Sequence, residues 1–365
     1  MMKVTTSLVL LLALTTVGCS KKKEEGTAQK ADPALTPKVT EQPAEAPAAP
    51  LTGTALADKY KTCVGLINEA KWQELRKDCI ADAYTMHAVA GMEEQKGADK
   101  LIAYFKDQKT AMPDWKLEPQ LVMVSGRNIL AVELATGTHS GPMKTPMGEV
   151  PATNKKMGML FFHRLAIDDQ NKATDEWAYA DASTMMSQLG LAPKGTPPMR
   201  PAMDKGMEGA PIVVVTADDA AEKANLEIAK KNNDAFVANK LPDYLATMAD
   251  DAVESDMTSE KDVTGKQELG KGFKMFRDAW KDVKFSDPTM WAAGDYVIQT
   301  FKFEGTNDKP MGKMKPTGKT ISVDVAEVMH IKDGKIDKLW RFMNGMDFAK
   351  QMGMMPETAP APEKK

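Results

Sequence analysis

Two spacings of apolar residues divide the second half of the chain into a helix followed by strands. Large apolar residues recur at helical spacing and predict an amphipathic helix: Leu269, Phe273, Phe276 and Trp280. Further on, apolar and polar residues alternate, and this shorter period predicts strands over 296–304, 320–331 and 335–342. Asp333 and Gly334, between the last two segments, are typical of a hairpin turn. The first half follows the same order, with a longer turn at 168–172.

The chain contains the same unit twice. Residues 177–190 read WAYADASTMMSQLG and residues 340–353 read WRFMNGMDFAKQMG, so Trp, Gln and Gly recur at the same spacing. Earlier matches keep one constant offset: Gly97 with Gly265, Phe105 with Phe273, and Gly137 with Gly305. His163 then matches His330 at a slightly smaller offset. A fixed offset over this distance indicates duplication.

Each unit predicts the same fold. Two or three helices come first, and a run of antiparallel strands follows them. Asp181 or Asn344 then starts a last short helix, because Asp and Asn side chains accept hydrogen bonds from first-turn amides. We therefore expect an α+β protein with two tandem domains, in each of which N-terminal helices cover one face of a curved antiparallel sheet.

Beyond the apolar start of the chain, the segments outside these units are rich in Pro with Ala, Gly, Glu or Lys, and the one before the first unit cannot bury enough apolar surface to fold. They set the predicted limits of the chain's parts: signal peptide 1–18, lipidated cysteine and tether 19–54, first domain 55–191, linker 192–212, second domain 213–355 and tail 356–365.

The start of the chain has the order of a targeting segment: Lys3, an apolar run at 8–14, and small residues before Cys19. The apolar run is shorter than the about 20 residues that cross a membrane. Small residues followed by Cys resemble the lipobox of bacterial lipoproteins, which implies lipidation of Cys19; a plain secretory signal with a chance cysteine is the alternative. Ser20 favours the outer membrane. We expect a cell-envelope protein that meets the membrane through its lipid anchor only.

Several motifs occur in an order that resembles one protein family. In the first unit they are Gly97, Phe105, 113–114, 137–141, His163, Trp177, Asp181 and 188–190; in the second they are 305–306, 316–319, 333–336, Trp340 and Gln351. They resemble SnoaL-like proteins, the polyketide-cyclase or ester-cyclase branch of the nuclear-transport-factor-2-like superfamily. The resemblance implies a cone-shaped pocket in each domain and chemistry without a cofactor.

In cyclases of this family, an Asp at the end of the last strand acts as general acid/base beside a His on the preceding strand. Carried over, the resemblance implies that Asp181 and His163 are catalytic. The second unit has Asn344 and His330 there, and Asn cannot exchange a proton near neutral pH. The alternative is that Asp181 only caps a helix and His163 only lines the pocket.

The resemblance also gives the expected pocket residues of both domains. They are Tyr84, His87, Trp115, His139, Trp177 and Tyr179 in the first domain, and Trp280, His330, Trp340, Phe342 and Asn344 in the second.

Cys63 and Cys79 lie at equal distances from Lys71, where the first helix gives way to the second. Antiparallel helices would bring them face to face, so they form either a disulfide, which the envelope permits, or two buried thiols. The four histidines are scattered and give no spacing for a metal site. The 27 methionines could in principle bind copper, but they recur at core-like positions in both units and fit the filling of apolar cores better.

The formal net charge of −3, with both signs mixed, gives no support for nucleic-acid binding. Three functions stay open. The leading one is a module that binds a small apolar or aromatic molecule in each cone. The others are a cyclase or isomerase that uses Asp181, and a structural envelope protein whose cones are filled by side chains. We also expect the two domains to pair as an internal pseudo-dimer.

Overall fold

The structure is a computed structural model that describes residues 49–91, 94–145, 148–194, 196–208 and 212–354. The predicted signal peptide, Cys19 and the predicted tail lie outside the described residues. Within these ranges, no helix is long and apolar enough to cross a membrane.

The first domain starts with helices and continues into a sheet. Its elements are α1 (Gly53–Asn68), α2 (Trp72–Asp78), β1 (Ile80–Met86), β2 (Gln95–Lys96), α3 (Ala98–Ala111), β3 (Lys116–Ser125), β4 (Asn128–Thr138), β5 (Met143–Thr145), β6 (Gly148–Val150), β7 (Lys156–Ile167), β8 (Ala173–Tyr179) and α4 (Ala182–Gln188).

The second domain repeats this order without the short pair β5–β6. A strand β9 (Ile212–Val215) precedes it, and its elements are α5 (Ala220–Val237), α6 (Leu241–Thr247), β10 (Met248–Asp256), β11 (Val263–Thr264), α7 (Lys266–Arg277), β12 (Trp280–Ala293), β13 (Tyr296–Asn307), β14 (Thr320–Lys332), β15 (Lys335–Phe342) and α8 (Gly345–Gln351). The three strands predicted from alternation are confirmed as β13, β14 and β15.

Both sheets have the same strand order, β2-β1-β8-β7-β4-β3-β9 in the first and β11-β10-β15-β14-β13-β12 in the second. The predicted α+β class, with helices over one face of each curved sheet, is confirmed. The sheets are mixed rather than wholly antiparallel, since β1 pairs with β8, β10 with β15 and β9 with β3 in parallel. These parallel pairs are possible because long connections, not hairpins, join the strands concerned.

The strand β9 departs from the predicted domain limits. It falls at the predicted start of the second domain, yet its residues pair with β3 in the first sheet, Ile212 with Leu121 and Val215 with Val124. The β3 edge would otherwise present unpaired backbone groups, and β9 covers them. The first sheet is therefore completed by residues that follow the linker.

A disulfide joins Cys63 of α1 to Cys79 at the end of α2, with the two Cα atoms 5.9 Å apart. At the corresponding place in the second domain, the side-chain amide of Asn232 donates a hydrogen bond of 2.8 Å to the hydroxyl of Thr247. The same helix–helix contact is thus closed covalently in one domain and by a polar pair in the other.

Two predictions about the repeat are wrong. Trp280 does not continue the predicted helix, because α7 ends at Arg277 and Trp280 begins β12. His330 is not the counterpart of His163. Ala131 of β4 pairs with His163, whereas the equivalent Gln299 of β13 pairs with Glu327, so Glu327 occupies the position of His163.

The outer faces of the two sheets pack against each other in one hydrophobic cluster. Its buried members include Leu130, Val132, Leu160, Phe162 and Tyr179 from the first domain and Ile298, Ala326, Val328 and Phe342 from the second. The ring centroids of Phe162 and Phe342 lie 6.1 Å apart. Because side chains alternate along a strand, residues that face this contact point away from the interior of their own domain.

Candidate functional site

The interior of the first domain contains a cavity of about 200 Å³ between its helices and the inner face of its sheet. Its apolar lining comes from all four helices and five strands of the domain and includes Val64, Ile67, Leu101, Phe105, Trp115, Met157, Met159 and Phe161. The Cys63–Cys79 disulfide also lines it. We call this space the first-domain cavity.

Besides Tyr104 and Gln108 of α3, five polar side chains line the first-domain cavity, each from a different element. They are Tyr60 of α1, Tyr84 of β1, Glu133 of β4, His163 of β7 and Glu176 of β8. Strand alternation directs them inward: His163 shares its face with Met159 and Phe161, while the neighbouring Phe162 contacts the other domain. Glu133 has no solvent-exposed surface, and His163 is 8% exposed.

These side chains form one continuous hydrogen-bonded chain. The hydroxyl of Tyr60 donates to Oε1 of Glu133. Nε2 of His163 lies 2.7 Å from the Tyr60 oxygen, and its Nδ1 lies 2.8 Å from Oε1 of Glu176. The hydroxyl of Tyr84 donates to Oε2 of Glu176. The chain therefore runs from Glu133 through Tyr60 and His163 to Glu176.

The protons in this chain can be assigned by counting donors. Tyr60 has one proton and gives it to Glu133, so its oxygen accepts from Nε2–H of His163. Nδ1–H of His163 then donates to the Glu176 carboxylate, which makes the ring a charged imidazolium. Burial opposes this charge, but the hydrogen bond and charge of Glu176, with the charge of Glu133, outweigh it and raise the pKa of His163.

The pKa values of the two glutamates are shifted in opposite directions. Burial acts to raise the pKa of Glu176, but the hydrogen bond and charge of His163 outweigh it, so this pKa is lowered and Glu176 is the anion of the chain. Burial raises the pKa of Glu133, and the charge of His163 and the Tyr60 hydrogen bond offset it only in part. Oε2 of Glu133 is buried and has no hydrogen-bond partner in the part of the chain that the structure describes. A carboxyl group with a raised pKa thus has one oxygen free to meet a ligand.

The second domain carries a different set of side chains in its interior. By sheet register, Phe301 replaces Glu133, Glu327 replaces His163, Leu339 replaces Glu176 and Arg341 replaces Ala178. Nε of Arg341 lies 2.7 Å from Glu327, and its Nη1 lies 2.7 Å from Glu254. Gln299 donates to Glu327 at 2.6 Å. Salt bridges and rings therefore occupy the space that the small Ala178 leaves open in the first domain.

The structure places Asp181 away from the first-domain cavity. It caps α4 and accepts hydrogen bonds from the amides of Ser183 at 3.1 Å and Thr184 at 2.9 Å. It also accepts one of 2.9 Å from the amide of Gly345 in the second domain. Burial raises the pKa of Asp181, but all its partners are protein groups that a helix cap and a domain contact require. The geometry therefore separates Asp181 from His163, which the family resemblance had placed together.

Because side chains alternate along a strand, only some of the other expected pocket residues line the cavity, and the rest lie on the outer faces of the sheets. Tyr84, Trp115 and His163 line the first-domain cavity. Four lie on the outer faces that meet the other domain instead: Trp177, Tyr179, Trp340 and Phe342. His87 stacks on Trp177, with the ring centroids 4.3 Å apart. None of these outer-face residues lines the cavity.

The remaining expected residues have structural surroundings. His139 is buried in a loop, 3.0 Å from Thr153. Trp280 packs on Phe276 and Phe303 in the second-domain core. His330 lies on the outer face, 2.6 Å from Asp337. Asn344 caps α8 and donates to the carbonyl of Ala90 at 2.7 Å.

Sequence reasoning missed Tyr60, Glu133 and Glu176. Glu133 had a signal, because it is the only charged residue in the apolar run ILAVELA at 129–135, which the structure buries in β4. A charge in such a run is costly unless it is paired or functional. Among the described residues, no group of three or more His, Cys, Asp or Glu side chains could hold a metal ion.

The comparisons with known proteins bear on this geometry. The family model described as SnoaL-like polyketide cyclase matches residues 54–189 and 227–352. A comparison with curated proteins found no match.

Solved structures similar to this chain each cover about a third of it. A proposed polyketide cyclase from Pseudomonas putida KT2440 is 19% identical, with 35% of this chain and 96% of that chain covered and a TM-score of 0.32. A nuclear-transport-factor-2-like protein from Burkholderia xenovorans LB400 is 14% identical, with 37% and 99% covered and a TM-score of 0.32. A proposed isomerase from Bacillus subtilis is 18% identical, with 36% and 95% covered and a TM-score of 0.32.

Proposed function

The chain belongs to the SnoaL-like polyketide cyclase family, and we propose that its first domain binds one small, mainly apolar molecule in the first-domain cavity. The observation that carries this proposal is a buried oxygen, Oε2 of Glu133, which has no hydrogen-bond partner among the residues that the structure describes and belongs to a residue in the wall of a mainly apolar cavity. The second domain does not share this role, because Arg341 and its carboxylate partners fill the equivalent space.

The volume of the cavity limits the size of the ligand. An apolar protein cavity of about 150 Å³ holds one benzene molecule. The first-domain cavity, at about 200 Å³, therefore suits a single ring with a short substituent. The rings of Phe105, Trp115 and Phe161 supply aromatic surface for such a molecule.

The polar group of the ligand faces Glu133. A buried oxygen left without a hydrogen bond costs about 1–3 kcal/mol, so a ligand that hydrogen bonds Oε2 recovers part of that cost. The neighbouring Glu176 is an anion, which disfavours a negatively charged ligand. A neutral carbonyl or hydroxyl compound fits both conditions.

The raised pKa of Glu133 supports a second candidate function, a cofactor-independent isomerase or cyclase. In this reaction the Glu133 carboxylate takes a proton from a carbon beside the ligand's carbonyl group. Glu133 then returns a proton, either the same one or one exchanged with solvent, to the oxygen or to a carbon, so the reaction is balanced without an added reagent. Tyr60 and His163 hold Glu133 through the hydrogen-bonded chain.

Binding can be tested with acetophenone, a neutral aryl ketone, because Trp115 lies in the cavity wall and reports on it by fluorescence. We expect saturable quenching in the natural protein and its loss in Ala178→Leu, which fills the cavity. The raised pKa of Glu133 favours the protonated carboxyl, which can donate a hydrogen bond to the ketone oxygen. Glu133→Leu has no donor and should therefore weaken binding by about tenfold, the worth of one good hydrogen bond. Glu327→Gln, at the buried glutamate of the second domain, is the control and should bind normally. Unchanged binding in Ala178→Leu would contradict the proposal.

The acid/base function has its own readout. Exchange of the acetophenone methyl protons for deuterium, followed by NMR in D₂O, measures proton removal beside the carbonyl. The natural protein should accelerate exchange and Glu133→Gln should not. Binding without accelerated exchange would leave the first domain as a binding module.

On the sequence alone, we also infer that Cys19 anchors the chain in the outer membrane, with residues 20–54 as a tether. The support is the small-residue segment before Cys19 and the Ser that follows it. Cells fed an alkyne fatty acid should label the natural protein but not Cys19→Ala. Equal labelling of both would contradict this inference.

A further inference from the structure

Arg164 lies where the two domains meet, on the outer face of β7 beside Phe162. Its Cζ atom is 3.6 Å from the ring centroid of Trp177 in its own domain. It is 5.4 Å from the ring of Trp291 in the second domain. The guanidinium is therefore held by contacts with two indoles, one from each domain.

No hydrogen bond or ion pair to the Arg164 guanidinium occurs among the residues that the structure describes. The nearby carboxylate of Asp175 acts on its charge, but that carboxylate hydrogen bonds Nε2 of His87 at 2.8 Å. An arginine has five N–H donors in one plane, and stacking on ring faces leaves the edge of that plane free. Arg164 thus has unused donors in a partly buried position.

A cleft of about 190 Å³ opens beside Arg164 and is lined by both domains. Tyr179, Thr300 and Lys302 supply polar groups. Asp324 also lines the cleft, but Lys302 pairs with one of its oxygens at 2.7 Å and the amide of Ala90 donates to the other at 3.0 Å.

The charges around the cleft leave Arg164 as the group that selects a ligand. Lys302 and Asp324 neutralise each other, and Asp287 is the remaining carboxylate in the lining, at an exposed position. A flat anion with two oxygens matches the paired N–H groups of a guanidinium, which a single point charge does not. The adjacent indoles favour an anion that carries a ring.

We propose that this cleft between the domains is a second binding site, which takes a small aromatic carboxylate through Arg164. The site requires both domains, since Trp177 and Trp291 hold the guanidinium from opposite sides of the contact. It is separate from the first-domain cavity, whose free group is a carboxyl and which suits a neutral ligand. The tandem arrangement thus creates a site that neither domain has alone.

The test is calorimetric titration of the full chain with benzoate, with methyl benzoate as the uncharged analogue and inorganic phosphate as a second anion. We expect saturable benzoate binding with one site per chain. Arg164→Gln should weaken it at least about tenfold. Arg164→Lys should also weaken it, because lysine keeps the charge but lacks the planar pair of N–H donors. Arg76→Gln, an exposed arginine of the same domain, is the matched control and should change nothing.

The outcomes separate the two sites. Ala178→Leu fills the first-domain cavity and should leave benzoate binding intact while it removes the binding of methyl benzoate. If Arg164→Gln unfolds the chain, the contrast between benzoate and methyl benzoate in Ala178→Leu still decides the question. Equal benzoate affinity in Arg164→Gln, tighter binding of phosphate than of benzoate, or no saturable binding would overturn the proposal and leave Arg164 as a contact between domains.

Discussion

Nε2 of His163 lies 2.7 Å from the hydroxyl oxygen of Tyr60, which joins the sheet of the first domain to its first helix inside the cavity. Because the Tyr60 hydroxyl donates its hydrogen bond to Glu133, its oxygen can only accept from His163, and this one contact sets the direction of the hydrogen bonds along the whole chain. The imidazole must donate, and it must therefore carry two protons. A change at either residue should affect both glutamates.

Tyr60→Phe removes the central oxygen of this chain. Glu133 then loses its donor and His163 loses its acceptor, and both groups stay buried. We expect the free energy of unfolding of the first domain to fall by about 2–6 kcal/mol, at about 1–3 kcal/mol for each of the two unpaired groups. Urea unfolding followed by Trp115 fluorescence measures this. Tyr104→Phe, whose side chain also lines the cavity, is the control and should cost less.

His163→Gln should show a pH-dependent loss of stability. The pKa of His163 is raised in the folded protein, so its contribution is complete below about pH 6.5, the ordinary value for histidine. It is lost as the pH rises through the folded pKa. The lowered pKa of Glu176 keeps that partner charged above about pH 5.

We therefore expect a larger difference in unfolding free energy between the natural protein and His163→Gln at pH 5.5 than at pH 9. Urea unfolding at the two pH values checks this expectation. The same difference at both values would show that folding does not raise the pKa of His163, and a larger difference at pH 9 would show that the folded ring is neutral.

The disulfide between Cys63 and Cys79 should stabilise the first domain alone. It closes a loop with a sequence separation of 16. Closing a loop of that length lowers the conformational entropy of the unfolded chain, and this stabilises the folded state by about 3 kcal/mol. Replacing both cysteines by serine should therefore lower the unfolding free energy by about that amount. Asn232→Ala, which breaks the equivalent polar pair in the second domain, should cost only about 1 kcal/mol. Equal losses would show that the cross-link adds nothing beyond the contact.

Asp181→Asn separates helix capping from catalysis. Asparagine caps helices as well as aspartate does, and Asn344 holds the equivalent position in the second domain. Because Asp181 lies outside the first-domain cavity, ligand binding and proton exchange should stay unchanged in Asp181→Asn. Asp181→Ala should instead lower stability by about 2 kcal/mol through the lost cap. Loss of activity in a well-folded Asp181→Asn protein would restore the role that the family resemblance implied.

The fold could be predicted from the sequence because apolar spacing and the repeat constrain it at many positions. The site depended on the exact register of one hairpin. The connection from β4 to β7 is longer than the connection from β13 to β14, so matching His163 to His330 rather than to Glu327 by sequence placed non-equivalent residues, on opposite faces, in correspondence. Since one residue of slip inverts a strand's faces, register errors exchange interior and outer residues.

No pattern in the sequence predicted that the first domain is open inside and the second is filled. Whether an interior is open depends on single side-chain sizes, and the contrast between Ala178 and Arg341 decides it here. Tyr60 comes from a helix and meets Glu133, which is far from it in sequence. Such a pair becomes visible only once the helix is packed on the sheet.

The pairing of β9 with β3 has a consequence for synthesis and for dissection of the chain. During translation the first sheet stays incomplete until Val215 has left the ribosome, although all its other strands end at Tyr179. A fragment that stops at the end of the first domain's last helix exposes the backbone edge of β3, and it should associate with other copies through that edge. Proteolysis within the linker, in contrast, should leave both pieces held together by a shared strand and a shared hydrophobic cluster.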